Sequence, residues 1–260
     1  MNEKPPHVEV ELLTHAGVQW ARLTVDNSNR LNVLNTVVLE SFIQAIEEAG
    51  KLTDLRWVVV TGAGQRAFIG GADIYEMSQL DAASAEAFIR RIHGVCAGLR
   101  SLPVPVIARI DGYCFGAGLE IAAACDLRVA SVRSVLGMPE VQVGVPSVVE
   151  AALLPRLIGW GRTSELLLTG RRIDATEAQA WGLVQRVVPT GRLDRVVQQW
   201  GSEIAAAGPN AVRLQKELML QWEDLPMSQA IEAGVASFAK SFQTDEPREA
   251  MQRFINRTRS

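Results

Sequence analysis

The chain has 260 residues, of which 48% are hydrophobic and 21% charged, the composition of an ordinary soluble globular protein. Its net charge of −3 at pH 7 argues against a nucleic-acid-binding surface, and no basic run opposes that conclusion. No stretch of about 18 apolar residues predicts a membrane span, and the N-terminal segment lacks the apolar core of a signal peptide. Three cysteines in apolar surroundings indicate reduced thiols, so we expect a cytoplasmic protein.

The first half of the chain predicts alternating strands and helices. HVEVELL and VQWARLTV alternate polar and apolar residues around a THAG turn, which predicts a β-hairpin. TVVLESFIQAIEEAG has helical periodicity and ends at Gly50, and RWVVVTG has the apolar character of a buried parallel strand. GAGQRAFIGGAD then predicts a glycine-rich loop, and DAASAEAFIRRIHGVCAGLRS predicts a helix.

The second half begins with a further buried strand, VIARIDG, after the prolines of LPVP. A helix is predicted from about Gly116 to Ala124, followed by the strand LRVAS and the extended segment SVLGMPEVQVG. PSVVEAALLPRLIG and GRTSELLLTG have helical patterns, and only helices are predicted from Thr190 onward. Alternating strands and helices indicate an α/β core with a helical C-terminal part.

The loop FIGGAD, residues 68–73, is the first candidate for a functional site. Gly70 and Gly71 allow a positive φ and a close approach of a ligand to the backbone. Peptide N–H groups there, including that of Ala72, are then free to face an anion or a polarised carbonyl. A tight turn without a ligand is the alternative interpretation.

The segment FGAGLE supplies the second candidate. If a helix begins at Ala117, just after Gly116, its first N–H groups have no partner within the helix and favour negative charge. Two such donors, from Ala72 and Ala117, can form an oxyanion hole. Glu120 lies about one helical turn further on and faces the same region, unless it is only a carboxylate stabilised by the helix dipole.

A second carboxylate follows in the segment MPE, residues 138–140. Pro139 fixes the backbone, and Glu140 stands in a stretch otherwise made of Val, Leu and Gly. Two carboxylates, each beside a turn of small residues, suggest acid and base partners whose pKa values differ.

Cofactor and metal motifs are weak in this sequence. Gly62-x-Gly64-x-x-Ala67 imitates a dinucleotide-binding fingerprint, but FIGGAD interrupts the helix that such a motif requires. The three histidines and three cysteines have no zinc-site spacing. We therefore expect no cofactor and no metal.

These segments together resemble the crotonase, or enoyl-CoA hydratase/isomerase, superfamily. The matching pieces are NVLN (32–35), AFIGGADIYEM (67–77), PVIARIDGYCFGAGLEIAAACDLRVAS (105–131), LGMPEVQVGVP (136–146) and FAKSFQTDEPREAMQRF (238–254). The resemblance implies an α/β spiral of β-β-α turns in residues 1–200, and a helical C-terminal part in 201–260 that packs on the core and on a neighbouring subunit. It implies a homotrimer or homohexamer.

The resemblance also implies an acyl-CoA substrate, which is itself the coenzyme A thioester. The N–H groups of Ala72 and Ala117 match the oxyanion-hole donors, and Glu120 and Glu140 match the two catalytic glutamates of the hydratases. We assign Glu120 to activate water and Glu140 to protonate the α-carbon, although the two can share both roles. The matching positions expected to contact substrate or coenzyme A are Asn32, Arg66, Ala67, Gly70, Gly71, Asp73, Ile74, Gly116 and Pro139; Arg66 can equally be a solvated surface side chain.

The segment after Glu140 departs from the family, whose hydratases commonly have several glycines there. This chain has GVPSVVEAALLPRL, in which Ser147 and Glu150 form an S-x-x-E pattern typical of a helix capping box. Glu150 as a third active-site carboxylate is the alternative. Because of this change, the family resemblance does not identify the acyl group of the substrate.

Three other functions compete with hydration of a 2-enoyl-CoA. A Δ3,Δ2-enoyl-CoA isomerase needs one base, and an aromatic acyl-CoA hydratase-lyase is a further crotonase-type enzyme. A homologue that binds RNA or protein without catalysis is disfavoured by the acidic net charge and by both glutamates.

Overall fold

The structure, a computed structural model, describes residues 5–257. Its strands are β1 (His7–His15), β2 (Val18–Asp26), β3 (Leu55–Gly62), β4 (Ala67–Ile69), β5 (Val106–Ile110), β6 (Tyr113–Phe115), β7 (Leu127–Ser131), β8 (Val135–Gly137), β9 (Arg172–Asp174) and β10 (Arg186–Val188). Its α-helices are α1 (Thr36–Gly50), α2 (Ile74–Met77), α3 (Ala82–Ser101), α4 (Ala117–Ala124), α5 (Leu154–Ile158), α6 (Trp160–Thr169), α7 (Ala175–Ala180), α8 (Leu193–Ala206), α9 (Pro209–Asp224), α10 (Met227–Ser241) and α11 (Glu246–Arg257).

The larger sheet has six strands in the order β1-β2-β3-β5-β7-β10. The predicted hairpin is confirmed, since β1 and β2 are antiparallel and turn at Ala16 and Gly17, which both have positive φ. From β2 to β10 the neighbouring strands are parallel. β3 and β5 are almost fully buried, which explains their continuous apolar runs.

The smaller sheet has four strands in the order β4-β6-β8-β9. Each turn of the chain adds one strand to each sheet: β3 and β4 in the first turn, β5 and β6 in the second, and β7 and β8 in the third. This repetition is the spiral that the family resemblance implies. The expectation that GAGQRAFIGGAD, residues 62–73, forms only a loop is wrong, because β4 lies within it. A strand of three residues is too short to show a sequence period.

Two apolar layers hold the spiral together. The main core lies between the sheets and the helices α1, α3 and α4. A second cluster lies on the other face of the larger sheet, where Trp57 stacks on Trp20 with ring centroids 5.6 Å apart and Leu193 and Val197 of α8 cover them. The predicted boundary at residue 200 therefore falls within a helix that packs on the sheet.

The helices after α8 confirm that the C-terminal part is helical, and they bury few of their side chains. On α10, Met227, Ile231, Val235 and Phe238 form an exposed apolar stripe at helical spacing. In residues 5–257 no helix is both long and apolar enough to cross a membrane.

Candidate active site

Parallel pairing of β4 with β6 aligns the two candidate oxyanion donors. Ile69 of β4 pairs with Cys114 of β6. Ala72 follows Ile69 by three residues, and Ala117 follows Cys114 by three residues. Because the strands run in the same direction, both segments leave the sheet at the same edge.

Glu140 lies beside Ala72 and Ala117, because it also follows a paired strand position by three residues. β6 pairs in parallel with β8, with Phe115 opposite Gly137. Glu140 follows Gly137 by three residues and begins a 3-10 helix, Glu140–Val143. The expectation that SVLGMPEVQVG is extended is therefore correct only as far as β8.

Close backbone contact brings the glycine loop against the start of α4. A Cβ atom on Gly71, which has φ +112°, would lie 3.3 Å from the carbonyl oxygen of Phe115. A Cβ on Gly118 would overlap the backbone of Ile69, so β4 and α4 also touch. These approaches require glycine, and they bring the Ala72 and Ala117 backbones to one region.

The two candidate N–H donors are unpaired within the described part of the chain. Ala72 forms an isolated β-bridge with Leu34. In this bridge the Leu34 amide donates to the Gly71 carbonyl and the Asp73 amide donates to the Leu34 carbonyl, so the Ala72 N–H takes no part. Ala117 is the first residue of α4, where an N–H has no partner one turn before it. Both amides are free to donate to a ligand oxygen.

Glu120 is the single charged side chain of α4, a helix whose eight residues are all buried. Its exposed fraction is 4%. Burial, followed by repulsion from Glu140 and Glu150, raises the pKa of Glu120 to about 8, against partial opposition by the backbone amides of Ala151 and Val148. At neutral pH a pKa in this range favours the protonated form of the Glu120 carboxyl group.

Glu140 is half-buried and lies directly over Gly116. The Cα of Gly116, at φ +50°, leaves room for the Glu140 carboxylate, because a Cβ there would overlap Glu140 Oε1. The Ser147 hydroxyl donates a hydrogen bond to Glu140 Oε2 at 2.8 Å. Burial raises the pKa of Glu140, while its own backbone amide and the Ser147 hydroxyl act against that rise.

The capping box predicted at Ser147 and Glu150 is wrong. Ser147 is bound to Glu140, and the 3-10 helix Val149–Leu153 begins without a side-chain cap. Glu150 instead turns inward: its Oε1 lies 2.9 Å from Nδ1 of His93 on α3, and its carboxylate charge acts on Glu120. The alternative that Glu150 is a further carboxylate near the site agrees with this placement.

Sequence reasoning missed His93 and Ser147 as neighbours of the site. His93 is 57 residues from Glu150, and its helical spacing gave no indication of a carboxylate partner. Ser147 matched a local capping rule, which hid its contact with Glu140. The missing family glycines after Pro146 were the one signal of a changed environment.

The predicted coenzyme A positions divide into two groups. Asn32, Arg66 and Ala67 line a cavity of about 220 Å³ between the 3-10 helix Ser28–Arg30 and residues 63–67. Asn32 is buried, and its amide donates to the carbonyls of Ala63 and Ala67 at 3.0 and 2.9 Å, so it shapes the loop. Arg66 is exposed at the rim.

The other predicted contact positions surround the unpaired amides and the two glutamates. Gly70, Gly71 and Gly116 provide close backbone approach, and Pro139 precedes Glu140. Asp73 is buried, caps α2 through the Tyr75 amide, and pairs with Arg30 at 2.9 Å. Ile74 is 59% exposed at the start of α2, so its side chain is open to a ligand.

Among residues 5–257, no three histidine, cysteine or acidic side chains are grouped closely enough to hold a metal ion. The chemistry that the residues themselves offer is polarisation of an oxygen by two amides and proton transfer by two carboxyl groups.

The chain is similar to known proteins over nearly its whole length. The family model described as enoyl-CoA hydratase/isomerase matches residues 15–260. The short-chain-enoyl-CoA hydratase of Clostridium acetobutylicum is 32% identical over 91% of this chain and 91% of that protein, and the crotonyl-CoA hydratase of Syntrophomonas wolfei is 31% identical over 92% and 93%. The structure of an enoyl-CoA hydratase from Bacillus anthracis is 30% identical over 96% of both chains, with a TM-score of 0.91. The expected crotonase-like fold is confirmed.

Proposed function

Because the chain belongs to the enoyl-CoA hydratase/isomerase family, we propose that it adds water to a 2-enoyl-CoA thioester and forms a 3-hydroxyacyl-CoA. The observation that carries this proposal is the meeting of two buried or half-buried glutamates with two unpaired amides at one edge of the smaller sheet.

The amides of Ala72 and Ala117 are proposed to hold the thioester oxygen. Addition of water at the β-carbon places enolate-like negative charge on that oxygen, and fixed N–H donors stabilise such charge. One oxyanion-hole donor contributes about 2.7–4 kcal/mol in a well-studied acyl-transfer enzyme.

Hydration also needs one carboxyl group with a proton and one without. The pKa of about 8 gives the proton to Glu120, and the hydrogen bond from Ser147 favours the ionised form of Glu140. Glu140 then accepts a proton from water as the oxygen joins the β-carbon, and Glu120 gives its proton to the α-carbon. This division is the reverse of the one assigned from the sequence. At the end of the reaction the proton is on Glu140, and this proton must return to Glu120 before the next turnover.

Part of coenzyme A is proposed to enter the cavity of about 220 Å³ lined by Asn32, Arg66 and Ala67, with Arg66 available to a phosphate group. The exposed stripe on α10 supports a homotrimer or homohexamer, since apolar rows of this kind mark protein interfaces.

The test is the loss of enoyl-thioester absorbance when the protein is added to crotonyl-CoA. We expect hydration by the wild type and a decrease of about 10²-fold or more in Glu120→Gln and in Glu140→Gln. Glu86→Gln, at an exposed position of α3, is the matched control and should retain full activity. No hydration of crotonyl-CoA or of longer 2-enoyl thioesters by a protein that still binds coenzyme A would contradict the proposal.

A Δ3,Δ2-enoyl-CoA isomerase is the second candidate, because a neutral Glu120 leaves Glu140 as the candidate base and isomerisation needs a single base. Conversion of a 3-enoyl-CoA that survives Glu120→Gln and is lost in Glu140→Gln would favour this candidate over hydration.

A further inference from the structure

The chain passes from the larger sheet to the smaller sheet at three corners, one in each turn of the spiral. The first corner is residues 63–66 between β3 and β4, the second is Asp111 and Gly112 between β5 and β6, and the third is residues 132–134 between β7 and β8. Parallel pairing of the strands on both sides stacks these corners side by side. An ion pair that the proposed mechanism does not use joins them.

Arg133 in the third corner pairs with Asp111 in the second. Arg133 Nε donates to Asp111 Oδ1 at 2.8 Å, and Nη2 donates to Oδ2 at 2.6 Å, which is the forked geometry of strong, directional ion pairs. The Asp111 side chain is only 8% exposed, and Thr190 Oγ1 also donates to its Oδ1 at 3.3 Å. The two carboxylate oxygens therefore hold the guanidinium in one orientation, although the Arg133 side chain is 42% exposed.

The same guanidinium reaches the first corner. Arg133 Nη2 also donates a hydrogen bond to the backbone carbonyl of Gln65. Gln65 lines the cavity of about 220 Å³ that part of coenzyme A is proposed to enter, whereas Arg133 lies outside the lining of that cavity. Arg133 is therefore placed to act on the cavity through the Gln65 backbone, without touching a ligand.

Other contacts hold the two ends of the first corner. Asn32 Nδ2 donates to the carbonyls of Ala63 and Ala67, and a backbone amide of β6 donates to the Arg66 carbonyl at 3.1 Å. The middle of the corner, residues 64–66, is exposed. Loss of the bond from Arg133 should therefore loosen this exposed middle and leave β4 in place.

We propose that Arg133, oriented by Asp111, is a positioning residue for coenzyme A, which fixes the Gln65 backbone and with it the shape of the cavity beside Arg66. A lining that is already ordered costs less conformational entropy when a ligand binds. This inference rests on the proposed function, because the cavity matters only if coenzyme A enters it. It assigns part of the affinity for the phosphate-bearing end of the substrate to an ion pair outside the cavity.

Isothermal titration calorimetry with coenzyme A measures this role without catalysis. In Arg133→Met, which keeps a long side chain but removes its donors, we expect the Kd to rise about tenfold, because the corner must then be ordered on binding. Arg90→Met removes the same charge from an exposed position of α3 and is the control, with an unchanged Kd. A wild type that binds no coenzyme A would contradict the proposed function itself. Wild-type binding with the same Kd in Arg133→Met would overturn only the role of Arg133.

Asp111→Asn separates positioning from a direct contact between Arg133 and a phosphate group. It removes a negative charge and frees the guanidinium, so a direct contact predicts tighter binding of the anionic ligand. Positioning predicts weaker binding, because the ion pair that orients Arg133 is lost. Tighter or unchanged binding of coenzyme A in Asp111→Asn is incompatible with the proposal.

A double variant guards against an Arg133→Met protein that does not fold. The single substitution leaves the buried Asp111 carboxylate without its cation, which destabilises the fold. Arg133→Met/Asp111→Asn removes both charges and still lacks the hydrogen bond to Gln65, so its Kd for coenzyme A should also be about tenfold above that of the wild type. A wild-type Kd in the folded double variant rules out the positioning role.

The second experiment separates positioning from a general loss of structure. On crotonyl-CoA, Arg133→Met should raise KM about tenfold with little change in kcat, since the amides of Ala72 and Ala117 and both glutamates lie elsewhere. The crotonyl thioester of N-acetylcysteamine has the same reacting group but no nucleotide and no phosphate. On this thioester kcat/KM should be equal in the wild type and in Arg133→Met, and an equal loss on both thioesters would refute the proposal.

Discussion

Gly116→Ala tests how closely Glu140 depends on the start of α4. A Cβ at this position would overlap Glu140 Oε1, and Cβ atoms do not approach other heavy atoms closer than about 3.0 Å. The carboxylate would have to move by roughly 0.7 Å or more to escape. A misplacement of about 1 Å at a catalytic group can reduce the rate about 10²-fold.

The substitution also strains the backbone. Gly116 has φ +50° and ψ −123°, a combination that an alanine adopts only at a cost of about 1–3 kcal/mol. We therefore expect two effects together: a kcat about 10²-fold lower on crotonyl-CoA, and a Tm lower by several degrees. Stopped-flow absorbance and thermal unfolding measure them separately.

Gly161→Ala is the matched control. Gly161 lies in α6, its Cβ would have nothing within 4 Å, and its φ is not positive. Alanine there should stabilise the helix slightly and leave kcat unchanged. A Gly116→Ala protein with wild-type kcat would refute the inference that Gly116 makes room for a catalytic Glu140.

Two further predictions concern pH. In Ser147→Ala, Glu140 loses the hydrogen bond that favours its ionised form, so the acidic limb of the pH profile of kcat/KM should move to higher pH. The control is Ser202→Ala, which changes an exposed serine bonded to His15. An acidic limb that does not move in Ser147→Ala would contradict the assigned role of Ser147. For stability, the pKa of Glu120 is raised from 4.5 to about 8, so the folded protein keeps a proton that the unfolded chain releases between these values. The free energy of unfolding should therefore fall as pH rises through that window, and Glu120→Gln should remove up to about 4 kcal/mol of this dependence. Urea unfolding at pH 5, 7 and 9 measures the free energy of unfolding of both proteins. If it changed equally with pH in the wild type and in Glu120→Gln, that result would count against a neutral Glu120.

The parts of the site that the sequence predicts are those that depend on short-range rules. Gly70, Gly71 and Gly116 indicate unusual backbone, and Glu120 inside an apolar helix stands out because charge is rarely buried without a reason. Strand β4 escaped prediction because three residues cannot show a period. Its pairing with β6 is a tertiary property.

The neighbours of the glutamates could not be predicted for a different reason. Ser147 and Glu150 satisfy a local capping pattern, but the backbone places Val149 at positive φ and the two side chains find other partners: Ser147 bonds Glu140, seven residues earlier, and Glu150 bonds His93, 57 residues earlier. The contact with His93 exists only after distant parts of the spiral have come together, and the contact with Glu140 depends on the loop that follows β8. The protonation of Glu120 likewise depends on burial and on two carboxylates from elsewhere in the chain.

The spiral gives the molecule a modular division of labour. Its first two turns carry the Ala72 and Ala117 amides, which would serve any thioester whose oxygen gains charge, whereas Glu140, Ser147 and Glu150 all belong to the third turn and the segment after it. Changes after β8 can thus alter which bond reacts, and on which acyl group, while the two amides that would bind the carbonyl oxygen stay in place. A family built on this plan can diversify its chemistry by rewriting a single stretch of about fifteen residues.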